Sequence, residues 1–316
     1  MGSVPQEKPL KEQPMIPRRN FLTTASLGLL PQSALLPTSV RANDSLNKTP
    51  KARFRLGLVT YNVGALWDLK TLLSVCSQAG IAGVEFRTTH KHGVEPGLSK
   101  EERLDVKKRC SDAGIEIWGL GSTCEYQSVK PEMVRSQIET TKRFVELAAD
   151  LGAKGVKVRP NGLPKEKPVS DTLKQIGVSM SECGEYATKH GVEIWCEVHG
   201  FGTQEPANMA EIMNHCPSPS VGVCWNSNPT DVKNGSIAQA YSLLGKHIKS
   251  CHINNLYNNF DKKYPYQELF QKLAMANYDR FTLIEVGKTF PDPSLGVEFL
   301  RYYKAVWTSL CLQGDH

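Results

Sequence analysis

The sequence has no C-x-x-C pair, although its 316 residues include nine cysteines. The cysteines are scattered along the chain and their number is odd. A disulfide framework, by contrast, usually joins an even number of cysteines in a short secreted domain. Most of the nine lie inside apolar runs, so we predict that they are buried free thiols.

No dense stripe of lysine and arginine is present, and neither is an RNA-binding signature. The formal net charge is +6, but the N-terminus inflates it. Of the 38 basic and 32 acidic side chains, five and two respectively lie in residues 1–42, so the rest of the chain carries +3. This balance is too mild to predict a nucleic-acid partner.

An uninterrupted apolar run long enough to span a membrane is also missing. Arg18 and Arg19 precede a mildly apolar stretch that Pro31 breaks, and such a stretch is too short for a stable span. The paired arginines, followed by a small-residue site ending at Ala42, resemble a twin-arginine export signal. We therefore expect a signal peptide over 1–42, a linker over 43–52, one folded domain over 53–316, and a periplasmic or exported protein.

From Phe54 onward, short apolar runs alternate with longer segments of helical spacing, several of which end at a glycine. The predicted strands cover Arg55–Tyr61, Gly83–Arg87, Glu116–Leu120, Gly155–Arg159, Glu193–Val198, Val221–Trp225, Ser250–Asn254 and Thr282–Val286. Eight strand–helix units in roughly 260 residues predict an α/β protein with a single (β/α)8 TIM barrel. An open doubly wound sheet is the alternative, but the first strand lacks the G-x-G-x-x-G turn that usually follows it there.

Polar side chains lie at the ends of the last four predicted strands, on the barrel rim where active sites of this fold lie. Because strand side chains alternate between faces, residues two apart share a side. The inward-facing candidates are Glu197, Asn226, His252 and Glu285. Three oxygen donors and one imidazole suit a divalent cation, so we predict one Mn, Mg, Co or Zn ion held by these four residues.

Other polar residues near the same rim are predicted to bind the substrate, and the second strand also places Arg87 there. The predicted substrate-binding residues are Asn62, Glu85, Lys157, Arg159, His199, Asn228 and Asn254. For Lys157 and Arg159 an alternative stays open, namely a salt bridge with Glu197 or Glu85 inside the barrel.

The segments Val221–Asn226, Cys251–Asn254 and Leu283–Glu285 resemble the sixth, seventh and eighth strand motifs of the xylose-isomerase-like barrels. That family includes ketose 3-epimerases, hydroxypyruvate isomerase, inosose dehydratase and endonuclease IV, and the likeness covers residues 54–310. In its sugar-acting members a Glu, an Asp, a His and a Glu at the ends of strands five to eight hold one metal. This sequence departs from the pattern at Asn226, where the amide removes one negative charge.

The resemblance implies a metal-dependent sugar isomerase or epimerase that moves a proton next to a carbonyl through an enediolate. By that analogy Glu197 and Glu285 are the acid and base, and His199 orients a substrate oxygen. The substrate is expected to be a small sugar or sugar derivative, and a homo-oligomer is possible because related barrels often associate.

Two alternatives stay open, and a third is disfavoured. A lyase or hydratase acting on 3-keto sugars or glycosides would use the same metal site. A non-catalytic sugar-binding barrel is the second, because Asn226 weakens the site. An endonuclease of the endonuclease IV type needs more His and Asp ligands than these strand ends offer, and an export signal argues against it.

Overall fold

The computed structural model describes residues 51–256 and 264–312. The predicted signal peptide and most of the predicted linker lie outside these residues. None of the described helices is long and apolar enough to cross a membrane.

Eight short runs rich in apolar residues form parallel strands, each of which is almost entirely buried. Continuous burial is typical of strands whose outer face is covered by helices. The strands are β1 (Arg55–Val59), β2 (Gly83–Arg87), β3 (Glu116–Gly121), β4 (Gly155–Val158), β5 (Glu193–Glu197), β6 (Val221–Asn226), β7 (Ile248–Ile253) and β8 (Phe281–Ile284). They pair in chain order, and β8 pairs with β1 through a register that aligns Gly57 with Leu283. The predicted (β/α)8 barrel is therefore confirmed.

The helices begin and end where the local sequence satisfies their terminal backbone groups. They are α1 (Leu69–Ala79), α2 (Lys100–Asp112), α3 (Pro131–Leu151), α4 (Val169–Lys189), α5 (Pro206–Asn214), α6 (Ala238–Leu244), α7 (Tyr266–Met275) and α8 (Pro293–Leu312). Ser99 and Glu102 form a capping box at the start of α2, which satisfies two backbone N–H groups reciprocally. Gly80 and Gly152 end α1 and α3 in the left-handed conformation, with φ of 66° and 76°. Glycine adopts this conformation without a steric penalty. The sequence pattern predicted glycines at these helix ends.

The main hydrophobic core lies between the strands and the surrounding helices, and it includes most of the cysteines. All nine cysteines are free thiols; eight are buried and Cys311 is partly exposed. The prediction of buried free thiols is confirmed.

A second, smaller core fills the lower lumen of the barrel. It consists of Val59, Trp118, Trp195, Cys224, Phe281 and Leu283. Trp118 and Trp195 stack with their ring centroids 5.1 Å apart. The large Trp195 ring fits because glycines face it: a Cβ on Gly155 would lie 2.4 Å from two of its ring atoms, and one on Gly119 would lie 2.5 Å from Cζ3. This apolar layer fills the lumen on the side away from the carboxyl ends of the strands. Polar residues can therefore line a cavity only at the carboxyl ends.

We expect Gly155→Ala to destabilise the protein by about 1–3 kcal/mol, because the added methyl group overpacks the lumen against Trp195. Gly97→Ala is the matched control, since a Cβ there meets nothing within 4 Å. Urea unfolding of both variants checks the prediction. Equal stability of the two variants would contradict it.

Candidate active site

The carboxyl ends of the strands surround a cavity of about 340 Å³. Of the eleven residues predicted for the site, nine line this cavity. They are Asn62, Lys157, Arg159, Glu197, His199, Asn226, Asn228, Asn254 and Glu285. The other two, Glu85 and His252, are completely buried next to the cavity floor and expose no surface to it. The rim location expected from strand parity is therefore correct for most of these residues, whereas their individual roles stay predictions.

Three side chains from different strands converge in the floor of the cavity. Glu197 is the last residue of β5, His252 lies in β7, and Glu285 directly follows β8. Each offers a ligand atom, and these atoms all lie within 4.8 Å of one another. His252 Nδ1 is 3.1 Å from Glu285 Oε2 and 3.9 Å from Glu197 Oε1. Two carboxylates and one imidazole nitrogen this close together form a donor set that fits a divalent metal ion.

Asn226, the fourth predicted ligand, lies beside the cluster with its amide nitrogen turned toward it. Its backbone pairs with that of His252 in the sheet, and its Nδ2 donates a hydrogen bond to Glu197 Oε1 at 3.1 Å. In this orientation Asn226 holds Glu197 in place. A half-turn of the amide would present the carbonyl oxygen to the cluster, at the cost of that hydrogen bond.

Lys157 forms a buried ion pair with Glu197. Lys157 Nζ donates to Glu197 Oε2 at 2.6 Å, and both side chains are 4% exposed. The salt bridge left open from the sequence is therefore present for Lys157. Burial by itself would raise the pKa of Glu197, but the charges of Lys157 and His252 outweigh it and bring the pKa to about 2. Burial would likewise lower the pKa of Lys157, yet the nearby carboxylates of Glu197, Glu85 and Glu285 raise it. Both partners are consequently charged at neutral pH.

His252 lies between carboxylates on both sides of its ring. Nδ1 faces Glu285, whereas Nε2 is 3.2 Å from Glu85 Oε2. Burial would lower the pKa of His252, but Cys224 and the carboxylates of Glu285 and Glu85 raise it well above its usual value. Glu85, predicted from the sequence to bind substrate, thus lies behind His252 and not in the cavity wall.

Residues around the cavity mouth are held in place by contacts outside the cluster. Arg159 pairs with Glu125 at 3.1 Å. Asn228 Nδ2 donates to the carbonyl oxygen of Val198 at 2.5 Å, and the backbone N–H of Asn254 donates to the Tyr266 hydroxyl at 2.8 Å. These contacts fix the side of the cavity formed by the loops after β4, β6 and β7.

Four cavity-lining residues were absent from the predicted binding set, namely Tyr61, Arg87, Gln204 and Gly287. Arg87 shares the inward parity of Glu85, so strand alternation did signal its position. Its guanidinium carbon lies 5.4 Å from the centre of the Tyr61 ring. Burial and the charge of Arg159 lower the pKa of Arg87. Tyr61 and Gln204 lie in loops, whose paths no sequence period indicates.

A family model described as a xylose isomerase-like TIM barrel matches residues 73–303. No curated protein sequence matches the chain.

Similar solved structures reproduce the fold over most of their own length. A 3-keto-D-glucoside 4-epimerase from E. coli has 14% sequence identity and a TM-score of 0.64, covering 81% of this chain and 98% of that one. An L-ribulose 3-epimerase has 15% identity and a TM-score of 0.67, with coverages of 83% and 95%. A zinc-bound IOLI protein has 18% identity and a TM-score of 0.62, with coverages of 82% and 99%. At such low identities the likeness shows the fold alone.

We expect Lys157→Met to destabilise the metal-free protein by about 3–5 kcal/mol, because it leaves the buried Glu197 carboxylate without its ammonium partner. The double variant Lys157→Met/Glu197→Gln should recover most of this loss. Urea unfolding of the wild type, both single variants and the double variant in the presence of a chelator completes the cycle. Strictly additive effects would mean that the two residues are not energetically coupled.

Proposed function

Because the chain belongs to the xylose isomerase-like TIM barrel family, we propose that it is a metal-dependent sugar isomerase or epimerase. The observation that carries the proposal is the convergence of Glu197, His252 and Glu285 at the floor of one polar cavity. A closed barrel alone would not support an activity, since this fold serves many unrelated functions.

The donor set supports a single divalent cation of the Mn, Mg, Co or Zn kind. Glu197, His252 and Glu285 would hold it, and Asn226 would join them if its amide turned its oxygen inward. When bound, such an ion supplies Lewis-acid stabilisation of the negative charge that develops on substrate oxygens during proton removal. The similarity to a zinc-bound IOLI protein supports a metal site in this fold but does not select the ion.

Proton transfer is assigned to the two glutamates that line the cavity. Glu285 has a side chain that is 15% exposed, so a substrate carbon can approach it directly. Glu197 is more buried, and Lys157 keeps it ionised. One of the two carboxylates removes the proton next to the carbonyl, and the other carboxylate returns a proton. Return to the opposite face of the same carbon gives epimerisation, and transfer to the neighbouring carbon gives isomerisation.

The remaining polar lining is assigned to substrate recognition. Hydrogen-bonding groups are offered by the cavity-lining residues Lys157, Arg159, Asn62, Asn228 and Asn254. His199 is proposed to orient a substrate oxygen, since its Nδ1 is buried and has no hydrogen-bond partner among the described residues. A small sugar has a hydroxyl on nearly every carbon, and this lining matches such a ligand.

A lyase or hydratase acting on 3-keto sugars or glycosides is the second candidate. Such an enzyme would remove the same proton next to the carbonyl, and a leaving group would then depart from the neighbouring carbon. The observation that favours it is Tyr61, a cavity-lining residue that is 40% exposed. His90 and Arg87 pack against its ring, and the exposed part of the side chain offers contact area for the second group of a glycoside.

We expect Glu285→Gln to lower turnover by at least about 100-fold while the protein stays folded, because the amide cannot accept the substrate proton. The assay offers free ketoses and 3-keto-glycosides in D₂O with Mn²⁺, and NMR follows deuterium entering the carbon next to the carbonyl. Epimerisation or isomerisation gives deuterated sugar, whereas elimination releases the second group of the glycoside.

Glu116→Gln is the control for this experiment, since Glu116 forms an exposed ion pair with Arg55 at the opposite end of the barrel. Mn²⁺ titration of each variant separates loss of the base from loss of the ion. Full activity of Glu285→Gln would remove the acid–base assignment. A wild type that binds sugar and no metal would instead support a non-catalytic sugar-binding barrel.

We also propose that residues 1–42 export the folded protein through the twin-arginine pathway to the periplasm, on the basis of Arg18 and Arg19. Replacing both arginines with lysine should retain the full-length protein in the cytoplasm, because the paired guanidinium groups define the signal. Cell fractionation with immunoblotting measures the distribution. Unchanged export of the variant would contradict the proposal.

A further inference from the structure

Glu85 is a completely buried carboxylate that the proposed proton transfer does not use. It lies in β2, and its side chain reaches across the lumen to His252 in β7, with β8 and β1 between them in the sheet. One oxygen, Oε2, lies 3.2 Å from His252 Nε2. The other, Oε1, has no hydrogen-bond partner among the described residues. Burying a carboxylate with half of its bonding capacity unused is costly, so a specific role is expected for it.

The orientation of the His252 ring gives that role. Nε2 points at Glu85, and Nδ1 points at Glu285 and Glu197, which line the cavity. A neutral imidazole carries its proton on one nitrogen and a lone pair on the other. Carboxylates face both nitrogens of His252, so the metal-free ring can carry a proton on each. A cation held by Glu197, Glu285 and Nδ1 would displace the Nδ1 proton, whereas the Nε2 proton would stay in its hydrogen bond to Glu85.

We propose that Glu85 is a positioning residue that holds the His252 ring through Nε2–H and presents Nδ1 as a metal ligand. Metal-binding histidines commonly donate their second ring nitrogen to a carboxylate in this way, which fixes both tautomer and ring angle. The inference rests on the proposed metal site and assigns Glu85 to its support, away from the substrate.

The neighbouring backbone makes room for this arrangement. Gly121, in the adjacent strand β3, has no side chain where a Cβ would lie 2.8 Å from Glu85 Oε1. A side chain at this position would force the Glu85 carboxylate out of its present place. The absence of a side chain at this position is therefore part of what lets Glu85 lie fully buried behind the imidazole.

The test measures Mn²⁺ affinity by calorimetry for the wild type and for Glu85→Gln. The amide preserves the shape of the side chain but accepts the Nε2 proton less strongly, so affinity should fall about 10–100-fold. Glu193→Gln is the matched control. Glu193 is a largely buried glutamate at the amino end of β5, paired with Arg280 at 2.7 Å and remote from His252. It should lower thermal stability and leave the affinity unchanged.

A second readout separates positioning from a purely structural effect. In Zn²⁺-loaded protein with ¹⁵N-labelled histidine, the His252 nitrogens are identified by their loss in His252→Gln. The wild type should show a protonated Nε2 and a metal-bound Nδ1, and Glu85→Gln should show a mixture of ring states.

Wild-type affinity in Glu85→Gln would overturn the inference alone, as would an equal loss of affinity in Glu193→Gln. A wild type that binds neither Mn²⁺ nor Zn²⁺ would overturn the metal site and this inference together.

Discussion

The structure at the carboxyl ends of the barrel strands depends on one constraint: the buried negative charges there must be compensated. Glu85, Glu197 and Glu285 lie close together in or just below the cavity floor, where water screens them little. The Lys157 ammonium and the His252 imidazole lie among them. Their contacts of 2.6–3.2 Å with the carboxylates offset the repulsion between the negative charges. Such a cluster is an unfavourable way to stabilise a fold, since apolar residues of similar volume often do as well. At the metal site proposed above the cluster has a direct physical reason, because a bound divalent cation would replace repulsion between the carboxylates with coordination.

The apolar layer beneath this cluster is equally necessary. Trp118, Trp195 and Phe281 fill the lumen and exclude water from below, and glycines on the facing strands leave space for the tryptophan rings. The charged groups of the cavity therefore lie above an apolar layer that contains little or no water. Electrostatic interactions are stronger in such surroundings than in water. The same packing that completes the barrel would thus strengthen the interactions with any ion or substrate that binds in the cavity.

Asn226 is where the chain differs most from the pattern it resembles, and its contacts change how that difference is understood. From the sequence alone, an amide in place of a carboxylate indicated a weakened ligand. In the structure the amide donates to Glu197 Oε1, so the residue also restrains a neighbouring ligand. With Lys157 on Oε2, both oxygens of Glu197 are engaged, and its orientation is defined before any ion binds. Preorganisation of this kind reduces the cost of arranging ligands around a metal.

The sequence by itself determined the barrel and the rim on which the polar residues gather. Those properties follow from local periodicity, because strand alternation and parallel closure leave few places for Glu197, His252 and Glu285 to point. Only the tertiary structure decided which of them touch. It placed Glu85 behind His252 and not in the cavity, paired Lys157 with Glu197, and brought Tyr61 and Gln204 to the wall. These contacts join strands and loops distant in the chain, and their geometry depends on barrel stagger, side-chain rotamers and loop paths, which no sequence period records.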